Sequence, residues 1–433
     1  MQKTKLSPKF WAALTIFSFV GQVAWVVENM YFNVFIYKMF NASSGDISLM
    51  VAASAVAATL TTIFIGALSD KVGKRKLFIC VGYLVWGISI LSFAFIRMDV
   101  IESMFPAAVS AASVGVSLVI IMDCVMTFFG STANDACFNA WLTDSTDSTN
   151  RGSAEGINAM MPLVAILAVF GGFMGFDLDK AESWTTIFMI IGIAVSLIGV
   201  LGFFLIKEPQ IDKTENGKYF ANIIYGFRPS VLKQNKTLYA CLLAFAVFGI
   251  SIQIFMPYLI LYYEVSLEMS NYVLVMAPAI IVAAVVTAFY GKFYDKVHFE
   301  KAVIPVLAML GFGYIILFLF RSTALVFIGS LLMMCGYISG MAVFGAVIRD
   351  YTPENRAGMF QGLRIVGQVL IPGIIGPAVG AAVLKNAEMI TNNDGTQSFI
   401  PNGNIFLAAL VAVICIMPIL LLISNLMKEE SVK

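Results

Sequence analysis

A chain of 433 residues, 60% of them hydrophobic and only 12% charged, has too little polar surface to cover a water-soluble globule. Its apolar runs mostly exceed the ~20 residues needed to cross ~30 Å of hydrocarbon, and no β-type alternation competes with them. The composition therefore excludes a soluble enzyme and predicts a polytopic bundle of membrane helices.

Spans are predicted at 11–38, 46–69, 77–97, 106–141, 153–176, 183–206, 236–262, 270–290, 301–320, 323–348, 357–385 and 403–427. The formal charge of +1 hides an asymmetry: of the 27 Lys and Arg, the outer segments hold only Lys38, Arg97, Lys180, Arg321 and Lys385. Both termini are then expected in the cytoplasm, with the protein in the plasma (inner) membrane. The apolar run after Lys3, Lys5 and Lys9 is too long for a signal peptide and is expected to stay in the mature protein. Cys80, Cys124, Cys137, Cys241, Cys335 and Cys415 fall inside spans without CxxC spacing and read as small buried hydrophobes.

In the first span Gln22, Trp25, Glu28, Asn29, Phe32 and Asn33 recur at three and four residues, along one helical stripe. An ionised Glu28 facing lipid at mid-span would cost about 2.5–3.5 kcal/mol, so the stripe should face a cavity or a partner helix. It reads either as a substrate or ion site or as an interhelical hydrogen-bond network. The second span carries Ala53, Ser54, Ala57, Ala58, Thr59, Thr61 and Thr62, which suit close packing and have no assigned chemistry. The fourth span bears Asp123, Thr127, Ser131 and Asn134 on one face, with Asp135 beside them. Asp123 and Asp135 are candidate buried acids.

Residues 207–235 form the longest hydrophilic stretch; Tyr219, Phe220, Ile223, Ile224 and Phe227 suggest an interfacial helix within it. It is too short for a nucleotide-binding domain, and no G-x-x-x-x-G-K-[ST] occurs, so ATP is not expected to drive the protein. The predicted domains are 1–206, a 207–235 cytoplasmic linker, and 236–433. In the second half, Gln253, Pro257, Tyr258 and Tyr262 mark the seventh span and Gln361, Arg364 and Gln368 the eleventh. Arg364 lies two turns inside its span and calls for an acid such as Asp135 or Glu155. Gly367, Gly373, Gly376 and Gly380, with Pro372 and Pro377, and likewise Gly171, Gly172 and Gly175, read either as making their helices bendable or as serving close packing. The one histidine, His298, is expected in solvent; no metal-ligand cluster or nucleophile motif is present.

Gly66-Ala67-Leu68-Ser69-Asp70-Lys71-Val72, followed by Arg75, returns as Gly291-Lys292-Phe293-Tyr294-Asp295-Lys296-Val297. Asp144 with Arg151 likewise returns as Asp350 with Arg356. Two repeated motifs at matching places signal an internal duplication. The acid–base pairs are expected to form inner-face salt bridges, each worth about 0–1 kcal/mol when exposed.

The repeated loops resemble those of the major facilitator superfamily. Asn134-Asp135 to Arg151, Asp350 to Arg364 and the polar-aromatic first span look most like its glycoside-pentoside-hexuronide:cation symporter branch. The resemblance implies an all-α polytopic membrane protein, with twelve transmembrane helices in two pseudo-symmetric six-helix bundles and alternating access. It also implies gating roles for Gly66, Asp70, Arg75, Asp144, Arg151, Asp295, Asp350, Arg356 and Arg364. Sodium-coupled members of that branch carry acids in the second helix; residues 51–69 contain none. Coupling would then fall to Glu28, Asp123 or Asp135, with a proton or a sodium ion.

The expected function is secondary active transport of a small hydroxylated solute such as a sugar or glycoside, by a monomer without cofactor. Gln22, Trp25, Asn29, Asn33, Thr127, Gln253 and Gln368 are the candidate solute-binding residues, because planar rings stack on sugar faces and amides pair with hydroxyls. An exporter of amphipathic drugs, or a lipid or lysolipid transporter of the same fold, is the alternative. The expected partners are the solute and the bilayer, not nucleic acid or ATP, and enzymatic activity is not expected.

Overall fold

The computed structural model describes residues 6–108, 110–147, 150–208, 225–353, 357–392 and 395–431; the side chains of Asp70, Ala357, Met359, Gln361, Glu430 and Ser431 lie outside that description. The chain divides into two compact units, Met1–Asp46 with Ala53–Tyr219, and Ile47–Ala52 with Phe220–Lys433.

The first unit holds α1 (Pro8–Phe40), α2 (Ser44–Val72, apart from Ile47–Ala52), α3 (Arg75–Phe93), the short α4 (Met98–Met104), α5 (Ala111–Asp144), α6 (Arg151–Phe173) and α7 (Ala181–Leu205). Local chemistry starts and stops them. Ser7 accepts the Phe10 amide ahead of Pro8, and Ser43 with Asp46 forms a reciprocal cap on α2. α2 ends at Gly73 with φ 69°, a left-handed turn that a side chain would strain. The basic stretch 66–76, expected as a loop, is therefore helix almost throughout, turning only at Gly73 and Lys74.

α1 packs against α6, and α3 against α7. At the second crossing the backbones approach so closely that a Cβ on Gly192 would stand 2.8 Å from the Gly87 carbonyl. Within lipid, where no hydrophobic drive separates helix from tail, such close packing is what holds helices together. Near one end of the unit Phe32, Phe35, Phe93, Trp184 and Phe188 form an aromatic cluster with ring centroids 4.6–5.9 Å apart. Each favourable pair adds about 0.5–1.5 kcal/mol.

The second unit holds α8 (Pro229–Gln234), α9 (Lys236–Ser266), α10 (Val273–Leu319), α11 (Thr323–Tyr351), α12 (Ala357–Ile365, continuing through Val366–Leu370 into Ile371–Leu384), a hairpin of β1 (Met389–Thr391) and β2 (Gln397–Phe399), and α13 (Asn404–Ser431). α9 is the buried centre, packed on α12 and α13. A Cβ on Gly376 or Gly380 would collide with α9, so these glycines serve packing as expected. Gly171, Gly172 and Gly175 do not: a Cβ there would meet nothing within 4 Å.

Among the described residues eleven helices are long and apolar enough to cross a bilayer. One of them, α10, is two spans joined at His298, whose φ of 59° and ψ of 179° break the helix without an intervening loop. The spans number twelve in this count, as predicted. His298 is exposed. The small hairpin and α4 were not anticipated, and Cys415 is exposed rather than buried. Of the predicted interfacial helix, Tyr219, Phe220, Ile223 and Ile224 lie outside the described residues, and Phe227 ends a single short turn, Tyr225–Phe227.

Candidate functional site

α1 is not regular along its length. Val27–Tyr31 opens into a wide π turn, and so do Ser131–Phe138 in α5, Tyr262–Ser266 in α9 and Val366–Leu370 in α12. A π turn places an extra residue in the helix, swings the following side chains round by about 100° and weakens the local carbonyl pairing. Asn29 Nδ2 donates to the Trp25 carbonyl at 2.8 Å and Asn33 Nδ2 to the Asn29 carbonyl at 2.9 Å, so both amides brace the irregular stretch. The predicted stripe divides accordingly: Glu28 and Asn33 are buried, Asn29 is exposed, and Phe32 joins the aromatic cluster.

Glu28 is 6% exposed and Asp123 2%. Ser54 Oγ donates to Glu28 Oε1 at 2.7 Å and Thr127 Oγ1 to the same oxygen at 2.8 Å, while the two hydroxyls lie 2.9 Å apart. Three helices, α1, α2 and α5, thus converge on one carboxylate oxygen. Glu28 Oε2 and Asp123 Oδ1 are buried without a hydrogen-bond partner, and the two acids lie near enough to interact electrostatically. Ser54, grouped by sequence with the packing residues, is instead a direct partner of the acid.

Asp135 forms a second polar group. Ser131 Oγ donates to it at 3.0 Å and Asn134 Nδ2 at 3.2 Å. The Tyr83 hydroxyl lies 2.9 Å from both Asn134 Oδ1 and the Phe17 carbonyl, linking α1, α3 and α5. Among the described residues none of the ion pairs involves Glu28, Asp123 or Asp135. Trp25 is half-buried with its ring 5.0 Å from that of Trp86, and Gln22 is half-buried one turn before it. Gln253 and Gln368 are half-buried residues of the second unit.

The motif residues resolve differently from the expected pairs. Arg75 Nε meets Asp144 Oδ2 at 3.1 Å, and Arg75 also donates to the Ser69 hydroxyl, which donates to the Gly66 carbonyl at 2.7 Å. Arg151 does not take Asp144; it donates to the Thr143 and Thr146 carbonyls, both at 3.0 Å. Proximity in sequence misled here, because Arg151 opens the next helix and curls back on its own turn. Both Glu208 carboxylate oxygens lie 3.2 Å from the Lys76 amide, at the N-terminal turn of α3, where a negative charge is favoured. In the second unit Asp350 accepts from the Tyr294 hydroxyl at 2.6 Å, Asp295 is exposed and Arg364 half-buried. Arg356 lies outside the described residues. Between α6 and α7, a hydrogen bond from Lys180 holds Asp177 below its usual range.

A family model described as Major Facilitator Superfamily matches residues 12–377. Sugar efflux transporter B of Salmonella typhimurium is 22% identical over 200 residues, and the chain spans 46% of the length of that relative. Over the full length, the fold is similar to a crystal structure of a D-xylose-proton symporter, with TM-score 0.72 and 13% identity, covering 95% of this chain and 97% of that one. It is also similar to a bacterial homologue of the human lysosomal transporter Spinster in an inward-facing, unoccupied state, with TM-score 0.69 and 16% identity, covering 97% and 98%.

Proposed function

Because the chain belongs to the Major Facilitator Superfamily, we propose that this multi-pass membrane transporter, which is not an enzyme, couples movement of a small hydroxylated solute to a proton or sodium ion. The observation that carries the reading is the Glu28 carboxyl, buried with one oxygen bonded twice by hydroxyls and the other unpartnered. A bare carboxylate at that depth costs several kcal/mol, so a proton or a cation neutralises it during the cycle. Asp123 and Asp135 supply further oxygen ligands in the same unit. One positive charge crossing 100 mV supplies about 2.3 kcal/mol, enough for roughly fortyfold accumulation of a neutral solute.

The sugar or glycoside assignment rests on Trp25, Gln22, Gln253 and Gln368 as stacking and amide groups, and draws support from the names of the sugar efflux and xylose relatives. We place the protein in the plasma membrane with both termini cytoplasmic, on the distribution of Lys and Arg.

The test is uptake of labelled sugars into proteoliposomes under an imposed pH gradient or an imposed sodium gradient. The expected result is accumulation under one gradient, lost in Glu28→Gln while downhill exchange persists. Equal gradient-driven accumulation by wild type and Glu28→Gln would reject the coupling role. A second reading, export of amphipathic molecules, is favoured by an apolar cavity of about 340 Å³ lined by Phe19, Val23, Val169 and Phe173. Transport of amphipathic dyes with no response to any sugar would select it.

A further inference from the structure

A crevice of about 310 Å³ opens between the end of α1, the residues after α3 and the start of α7. Its walls are Phe35, Phe93, Ile96 and Trp184, and its mouth carries Arg97 and Asp99. It stands where the spans give way to charged chain: Lys38 pairs with Asp179 and Lys180 with Asp177 at the same ends of α1 and α7. The surrounding surface is unusually apolar for such a boundary. Phe95 and Met104 are each 67% exposed and Phe105 42%. These side chains project from the segment that bears Arg97, and they suit immersion at the headgroup level of a bilayer.

Arg97 uses only Nε in its bond to Asp99, at 3.1 Å. Among the described residues no acceptor takes its two terminal nitrogens. A guanidinium has five donors, and a phosphate presents the planar, bidentate acceptor that matches the remaining fork. Asp99, 65% exposed at its side chain, keeps carboxylate surface for a cation. A partly committed guanidinium beside an accessible carboxylate is thus the complement of a zwitterion whose phosphate and ammonium are a few bonds apart. The apolar walls below offer room for part of one acyl chain.

We propose that this crevice binds a phospholipid with a primary-ammonium headgroup, its phosphate on Arg97, its ammonium on Asp99 and one acyl chain between Phe35, Phe93 and Trp184. The site lies wholly within the first unit and does not depend on which solute the transporter carries.

Native mass spectrometry of the full-length purified protein, titrated with phosphatidylethanolamine, phosphatidylglycerol or phosphatidylcholine, tests it. Wild type is expected to retain one phosphatidylethanolamine in preference to either other lipid by roughly tenfold, the worth of one charge-assisted contact. Arg97→Gln lowers that retention roughly tenfold with an unchanged melting temperature. Asp99→Asn, which leaves the crevice walls intact, erases the preference over phosphatidylglycerol while retaining a lipid. Ala181→Leu, at the crevice wall, lowers retention of all three. Retention without headgroup preference in wild type, or an unchanged preference in Asp99→Asn, overturns the proposal.

Discussion

The Arg75 guanidinium stands 3.1 Å from Asp144 across the junction of α3 and α5, with the arginine side chain 5% exposed and the acid 27%. Removing Asp144 leaves the Arg75 charge buried, and removing Arg75 leaves the Asp144 charge half-buried. Arg75→Gln and Asp144→Asn are each expected to cost about 2 kcal/mol, between the figures for exposed and fully buried pairs. Their double-mutant cycle should show a coupling of about 1–2 kcal/mol in thermal unfolding, whereas Asp144→Asn with Arg151→Gln should be additive. Coupling in the second pair instead would restore the arrangement expected from the repeated loops.

Ser54→Ala and Thr127→Val each remove a hydroxyl that donates to Glu28 Oε1. Hydrogen bonds to a charged group contribute about 1.5–3 kcal/mol, so either change should shift the coupling-ion concentration for half-maximal uptake by about tenfold or more, downward where the ion is a proton, because the bare carboxylate loses a donor that stabilised it. Thr62→Val serves as control, since Thr62 Oγ1 is buried without a partner and touches none of these oxygens by hydrogen bond. Ion-titrated uptake in proteoliposomes measures all three. Unchanged titrations for Ser54→Ala and Thr127→Val would separate the hydroxyls from the coupling chemistry.

His298 holds φ 59° and ψ 179°, a region that costs a side-chain-bearing residue about 1–3 kcal/mol. Glycine adopts it without that penalty but loses about 0.5–1 kcal/mol in chain entropy. His298→Gly should therefore raise stability by about 1 kcal/mol, read as a higher melting temperature in detergent. A lower melting temperature would mean that the imidazole makes a compensating contact.

The glycines of α6 and α12 should answer oppositely to the same substitution. Gly172→Ala enters open space and replaces the poorest helix former but proline with the best, a gain of up to about 1 kcal/mol. Gly380→Ala drives a methyl into the Ile254 carbonyl and the Tyr258 ring, an overpacking cost of about 1–3 kcal/mol. Melting of the two single variants decides it.

The spans were legible in the sequence because hydropathy integrates over some twenty residues, and a misplaced end of a few positions does not change the count. Glu28 and Asp123 stood out because acids are rare at such depth. Ser54 did not, since a serine among alanines has the same composition whether it packs or donates. The partner of Asp144 was hidden for a different reason: Arg75 is 69 positions away and Arg151 only seven, and sequence shows separation along the chain, not across a bundle. The wide turns were invisible, because no residue type marks them as glycine marks a left-handed turn; only the failure of Phe32 to share the face of Glu28 betrays the first one.

That turn has a consequence for insertions and deletions. A helix that already carries a surplus residue at Val27–Tyr31 can lose one there and become regular. The result would be a continuous rod in which Phe32–Phe40 keep their places, because the wide turn had already absorbed the surplus residue. Phe35 would stay against the Trp184 ring and Lys38 beside Asp179. A single missing codon is therefore absorbed in this stretch, whereas the same loss within Phe32–Phe40 would turn every residue beyond it by about 100° and draw it back by about 1.5 Å.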